Sequence, residues 1–345
     1  MLTERQILIL KSIIFLYTNY GTPIGSKTLM NEAGLSYSSA TIRNEMVHLE
    51  VLGFIEKTHS SSGRIPSIKG YRFYVDHLIH PIEIQKKDLI TIKKSFSNEF
   101  HHLDEIVIQS VELLSQLTSY TAISLGPELK DSRLTGFRLV PLTENKVMVI
   151  LVTDKGHVEN QMFSLPKTIQ PKDLEKMVTI FNERLVGHTL IEVFKKLETE
   201  IPALINKYAK SAVGISSALD TFILQAGRDQ IHVGGKMNML DYSNGMNVEK
   251  FKLIYSLMED QHDLAHLLTP PQSGIEVKIG QELDDERFEG FSLITASYNV
   301  IGYGTGMIAL LGPTSMPYSK MISLVDVFRN ELSKKVIDYY HTMED

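Results

Sequence analysis

Gly53 separates two hydrophobic periods that cannot belong to one element, and this switch constrains the fold more than any other feature of the chain. Before it, Ser38–Phe54 (SSATIRNEMVHLEVLGF) reads as a short helix from Ser38 or Ser39 to Leu52. Ile42, Met46 and Leu49 share its inward face, and Gly53 stops it. After it, Phe54–His59 alternates like a strand, Ser60–Gly63 is a turn, and Arg64–Pro66 returns as a second strand. Ser67 then caps a helix over Lys69–Leu78. Two helices precede this run. One opens on the capping box Thr3-Glu4-Arg5-Gln6 and stops at Gly21-Thr22-Pro23; the other, Lys27–Glu32, is capped by Ser26 and ended by Gly34. Three helices, a hairpin and a further helix form the pattern of a helix-turn-helix with a wing.

The outward edge of the third helix carries Ala40, Arg43, Asn44 and Val47. Arg and Asn pair bidentately with guanine and adenine edges in a major groove, and small apolar groups touch thymine methyls. Ser38, Ser39 and Thr41 sit at the helix start, where hydroxyls and free N–H groups hold phosphate. The wing offers His59 and Arg64, and Lys69, Tyr71 and Arg72 extend the basic surface. Double-stranded DNA is the partner this surface suits.

Charge is informative only once divided. The 345 residues carry a net −6, but residues 1–76 hold eight Lys/Arg against six acids, and no acid stands between Lys57 and Arg72. Local positive potential is what attracts phosphates. A surplus of two is modest for one copy, which points to a dimer. The chain has no cysteine, so disulfides, thiolate metal sites and cysteine nucleophiles are excluded. No apolar run spans a membrane, and the start MLTERQ has no basic-then-apolar leader, so a cytoplasmic location is expected.

Beyond His80-Pro81-Ile82 a helical linker over residues 80–101 is expected, then an amphipathic helix at Ile106–Leu117. Strand signals occupy Ala122–Leu125, Leu134–Pro141, Lys146–Thr153 and Val158–Leu165, with a hairpin signal at Asp154-Lys155-Gly156. Pro171–Leu185 reads as a helix, Ile191–Leu224 as mostly helical, Ile231–Val233 as a strand and Val248–Leu268 as a helix. Strand character returns in Ile275–Ile279, Phe291–Tyr298 and Val300–Leu311, before a closing helix at Tyr318–Tyr340. The fold class is α+β and multidomain. Either one mixed domain is interrupted by a helical insertion, or two domains follow each other.

The segments IGSKTL (24–29), SSATIRNEM (38–46), LGFIE (52–56) and SGRIPSIKGYRFYVD (62–76) together resemble the HrcA family of heat-inducible transcription repressors. The resemblance is strongest over residues 2–79. It implies a winged-helix DNA-binding domain at 1–79, a GAF-like α/β domain at 102–190 and 271–345, and an inserted dimerisation domain at 191–270. It also implies a homodimer on an inverted-repeat operator, termed CIRCE, upstream of chaperonin and DnaK-type chaperone operons. A GroEL-type chaperonin would keep the repressor active. Where the family usually has Thr-Asp, this chain has Ser67-Ile68, which keeps the capping hydroxyl and loses a favourable charge worth up to ~1 kcal/mol. Ser62 stands where Ala is common.

Competing signals are weak. His262 and His266 share a helix face at metal-ligand spacing, but no third ligand accompanies them, and a solvated face is the plainer reading. Gly302-Tyr303-Gly304-Thr305-Gly306 lies inside a strand block and is not a dinucleotide fingerprint. Gly234-Gly235-Lys236 lacks the flanks of a P-loop and reads as a turn in the inserted domain. Met237, Met239 and Met246 are expected in a core. No Ser/His/Asp set and no cofactor is expected, so the chain is read as a non-enzyme. The alternatives are a winged-helix repressor answering to a metabolite in its α/β domain, a metal-dependent hydrolase, and a winged-helix interaction module without DNA.

Overall fold

The computed structural model describes residues 2–58, 63–100, 103–126, 133–143, 146–154, 158–164, 171–189, 231–242, 248–259, 274–300 and 304–344, with isolated positions in 192–200 and 264–271. By contacts the chain separates into two compact units. The first comprises Met1–Ser124, Val233–Ser297 and Met307–Leu332; the second comprises Leu125–His232, Tyr298–Gly306 and Ser333–Asp345.

The first unit begins with α1 (Glu4–Tyr20), whose capping box is complete and whose stop is Gly21 in the left-handed region at φ 66°. Ile9, Leu10, Ile13 and Ile14 line its buried face. The next helix, α2 (Ser26–Glu32), starts one residue earlier than expected. Ser26 is its first residue, Gly25 occupies the cap, and the Ser26 hydroxyl meets Ser39 Oγ at 3.0 Å instead. Helix α3 (Ser39–Val51) is capped by Ser38, which accepts from Thr41 N at 3.1 Å, and Gly53 follows at φ 78°. Strands β1 (Ile55–Lys57) and β2 (Arg64–Pro66) pair antiparallel as the wing. Helix α4 (Ile68–His77) is capped by Ser67.

The expected linker contains a packed helix, α5 (Lys86–Phe96), with Ile92 and Phe96 buried and the Phe96 ring edge-on to Phe328 at 6.1 Å. After α6 (Leu103–Thr118), β3 (Thr121–Leu125) enters a five-stranded sheet of order β7-β3-β10-β9-β8. Its other members are β7 (Ile231–Gly234), β8 (Ile275–Ile279), β9 (Phe291–Val300) and β10 (Gly304–Pro313). Leu293, Ile294, Ile308 and Leu310 are fully buried in it, consistent with a sheet covered on both faces. Helices α8 (Met239–Tyr242) and α9 (Val248–Glu259) follow β7, and long helix α10 (Tyr318–Glu344) closes the chain, with Leu324, Val325 and Phe328 in the core.

The second unit is built on the antiparallel sheet β4 (Leu134–Thr143), β5 (Lys146–Thr153) and β6 (Val158–Ser164). Helix α7 (Pro171–Leu185) lies on it: the Phe137 and Phe181 rings meet at 4.5 Å, and Asn182 bonds both backbone groups of Phe137. Alternation along β5 buries Val147, Val149 and Leu151.

This division differs from the expected one. The strands at 121–164 are not one block: β3 pairs with β7 and β10, distant in sequence, while β4–β6 form their own sheet. By contacts, Leu125–His232 groups with Tyr298–Gly306 and Ser333–Asp345 in the second unit. Hydrophobic alternation marks a strand but does not say which sheet it joins. Most of Ile191–Leu224 lies outside the described residues, as do His262 and His266.

The turn at Gly234–Gly235 belongs to the first unit. Gly235 has φ 66°, a Cβ there would overlap Ser115 Oγ, and Asn238 Nδ2 donates to Ser115 Oγ and Tyr120 O. Met239 is fully buried as expected, whereas Met237 is exposed; Met246 lies outside the described residues.

Candidate nucleic-acid interface

Helix α3 is braced on every side except one. Ile42, Met46 and Leu49 pack inward. Glu45 accepts from Arg5 Nη1 at 3.2 Å and Gln6 Nε2 at 3.1 Å, fixing the middle of α3 to α1. Glu50 accepts from Arg64 Nε at 2.9 Å and Nη2 at 2.7 Å, fixing its last turn to the wing. The C-terminal carbonyl of Leu52 accepts from Lys69 Nζ at 2.8 Å, a cation where the helix dipole favours one.

The remaining edge is the one expected from sequence. Ala40, Arg43, Asn44 and Val47 are exposed. Among the described residues Arg43 and Asn44 make no intramolecular hydrogen bond or ion pair, so their donors and acceptors are available to a ligand. Ser38, Ser39 and Thr41 lie at the helix start, but all three hydroxyls already bond within the head: Ser38 with Thr41, Ser39 with Ser26.

The base of the wing is stitched to the chain before α2. Ile24 N donates to Arg64 O at 2.8 Å, and Arg64 N to Ile24 O at 2.9 Å. Gly63 is required here, because a Cβ would lie 2.8 Å from Pro23 backbone. His59 lies outside the described residues.

Three of the expected contact residues are engaged within the fold. The Arg64 side chain is only 14% exposed and its guanidinium is held by Glu50 and Gly63 O, which ties the wing to α3. Tyr71 is 2% exposed, with its ring 5.8 Å from that of Tyr318; helix spacing put it on the inward face. Arg72 is engaged by its own helix, by β8 and by the turn after β8. Its Nε and Nη2 donate to Glu282 at 3.0 and 2.6 Å, Nη1 to Asp76 at 2.9 Å, and Nη2 also to Val277 O at 2.5 Å. Burial opposes its charge, but the bonds to Glu282 and Asp76 outweigh that and raise its pKa. Lys69 is exposed, yet its ammonium sits over the Phe54 ring at 4.8 Å while capping α3.

Sequence reasoning missed the residues that hold the reading edge in place, Arg5, Gln6, Glu45 and Glu50, and the partner of Arg72, Glu282. A signal existed for two of them. Glu45 and Glu50 stand on the helix expected to face phosphates, where an acid is best tolerated beside a cation.

Burial also explains the two tyrosines at the seam between α4 and the sheet. Both have pKa values raised well above 10, chiefly by desolvation. Tyr318 Oη donates to Thr314 O and meets Ser292 Oγ, whereas Tyr71 Oη has no partner among the described residues.

A braced helix with one unengaged Arg/Asn edge beside a wing defines a winged-helix DNA-binding protein. Residues 1–76 match the family described as "Winged helix-turn-helix transcription repressor, HrcA DNA-binding", and residues 104–322 match "HrcA protein C terminal domain". The chain belongs to the HrcA family. It is similar to the heat-inducible transcription repressor HrcA of Enterococcus faecalis, 50% identical over 99% of each chain. The proteins of that name from Tetragenococcus halophilus (48%, covering 100% and 99%) and Listeria monocytogenes (43%, covering 99% and 99%) are also similar. A crystal structure of a hypothetical protein shares the fold, with TM-score 0.61, 22% identity, and coverage of 98% of this chain and 99% of that one. No helix among the described residues is long and apolar enough to cross a membrane.

Proposed function

We propose that the chain represses transcription of heat-shock operons encoding chaperonin and DnaK-type chaperones. In this reading it acts in the cytoplasm as a homodimer on an inverted-repeat operator of the CIRCE type. The observation that carries the proposal is the Arg43–Asn44 edge, exposed and unengaged on a helix otherwise braced by Glu45, Glu50 and Lys69. The names of relatives that match this chain end to end support the biological direction. Ala40, Arg43, Asn44 and Val47 read base edges, and Ser38, Ser39, Thr41 and Lys69 lie along the phosphate path.

The interrupted α/β body is read as GAF-like, and the unit containing β4–β6 as the dimerising insertion. Pairing two heads offsets the small charge of one and sets half-sites one helical turn, ~34–36 Å, or a multiple apart. Heat would withdraw the folded dimer and a GroEL-type chaperonin would restore it. The test is a footprint of purified protein on its own upstream region, repeated across salt and temperature. Two protected half-sites, a salt slope matching several phosphate contacts, and loss of protection on heating are expected. Uniform, sequence-independent protection, or undiminished protection without chaperonin across the heat-shock range, would refute it.

A further inference from the structure

Helix α4 carries the basic residues expected to meet DNA, yet one of its faces is spent on the sheet of the same unit. Arg72 directs Nε, Nη1 and Nη2 to four acceptors: both Glu282 oxygens, Asp76 and the Val277 carbonyl. Glu282 is itself fixed, because its Oε2 also accepts from Ile279 N at 2.8 Å. On either side of this clamp the seam is apolar. Ile68 lies against Gly280, where a Cβ would stand 3.1 Å from Ile68 Cδ1, and the Tyr71 ring packs on Tyr318. Ile68 thus makes a contact that the acid usual at this position would not.

We infer that Arg72 and Glu282 are positioning residues for DNA binding: they mount the reading head rigidly on the sheet, so that α3 is presented at a fixed angle. The same guanidinium cannot also serve phosphate. The mount has a purpose only when two half-sites must be met at once. A head free to swing loses effective concentration for the second half-site without losing any contact at the first. The inference rests on the two-headed operator reading above.

The clamp suits mutation. Arg72 and Glu282 side chains are 28% and 39% exposed, beside an open groove of about 620 Å³ lined also by Val75, Asp76 and Lys278. Neutralising one therefore does not strand a buried charge.

The experiment uses full-length protein and two duplexes: the protected upstream inverted repeat, and the same duplex with one half scrambled. Arg72→Gln, Glu282→Gln and the double variant are titrated on both, with salt dependence and thermal melts. Each single variant is expected to weaken full-operator binding by roughly tenfold or more, with the double no weaker than the singles. Half-site binding and the salt slope per head are expected to stay unchanged. Loss of the positive Arg72 and loss of the negative Glu282 should act in the same direction, which no simple charge effect produces. The mount is overturned if Arg72→Gln weakens both duplexes and flattens the salt slope while Glu282→Gln does nothing or strengthens binding. It is also overturned if the variants match wild type on the full operator. Wild type that does not discriminate the two duplexes would sink the two-headed reading, and the mount with it.

Discussion

Arg43 and Asn44 stand exposed on the outward edge of α3 and make no hydrogen bond or ion pair among the described residues. Replacing either by Ala is therefore expected to cost ~1–3 kcal/mol of operator binding and to relax base preference at one position per half-site. The melting temperature should stay within a degree or two, read by calorimetry beside a gel-shift series. Tyr71 is the opposite case. Its ring is buried and its hydroxyl unpartnered among the described residues, so Tyr71→Phe should leave stability unchanged or raise it by up to ~1 kcal/mol, with DNA binding intact. A clear fall in stability on urea titration would mean that the hydroxyl is satisfied. These residues also show what sequence could and could not convey. The inward and outward faces of α3 were legible because helical period fixes them. The fates of Arg64 and Arg72 were not, because a cation next to a DNA-reading helix looks the same whether it faces phosphate or a carboxylate of its own chain.

Among the elements, the short hydroxyl at Ser67 has the widest reach. It accepts from Gly70 N at 3.0 Å to cap α4 and donates to Gly53 O at 2.6 Å, tying α4 to the end of the reading helix. Ser67→Ala should cost ~1–2 kcal/mol by denaturant titration and Ser67→Thr much less. The seam between α4 and α10 also makes a pH prediction. In the unfolded chain Tyr71 and Tyr318 ionise near pH 10, whereas in the fold burial keeps both neutral to higher pH. Above pH 10 the unfolded state therefore holds fewer protons, and stability falls as pH rises. Melts from pH 9 to 11 should show that decline, less steep in Tyr71→Phe. Most element boundaries were readable from caps and periods: Thr3, Gly21, Ser38, Gly53, Ser67 and Pro171 stand where helices start or stop. The assignment of β3 away from β4 was not readable, since its partners β7 and β10 lie far along the chain.

For the whole molecule, the winged head groups by contacts with the five-stranded sheet. Met1–Ser124 clusters with Val233–Ser297 and Met307–Leu332 as one unit, with the Tyr71 ring packed on Tyr318 and Ile68 against Gly280. A fragment of residues 1–79 should accordingly melt well below the intact chain and bind a hydrophobic dye, whereas a self-sufficient domain would do neither. DNA affinity of the intact chain should also fall more steeply than linearly on dilution if two heads act together. The seam has a consequence for how such a reader can be reused. A head whose last helix shares its core with the body cannot travel between genes as a cassette. Grafting it elsewhere would require carrying along the patch around Gly280 and Tyr318. New specificities are then reached most readily by rewriting the free edge of α3 in place, with the body inherited unchanged.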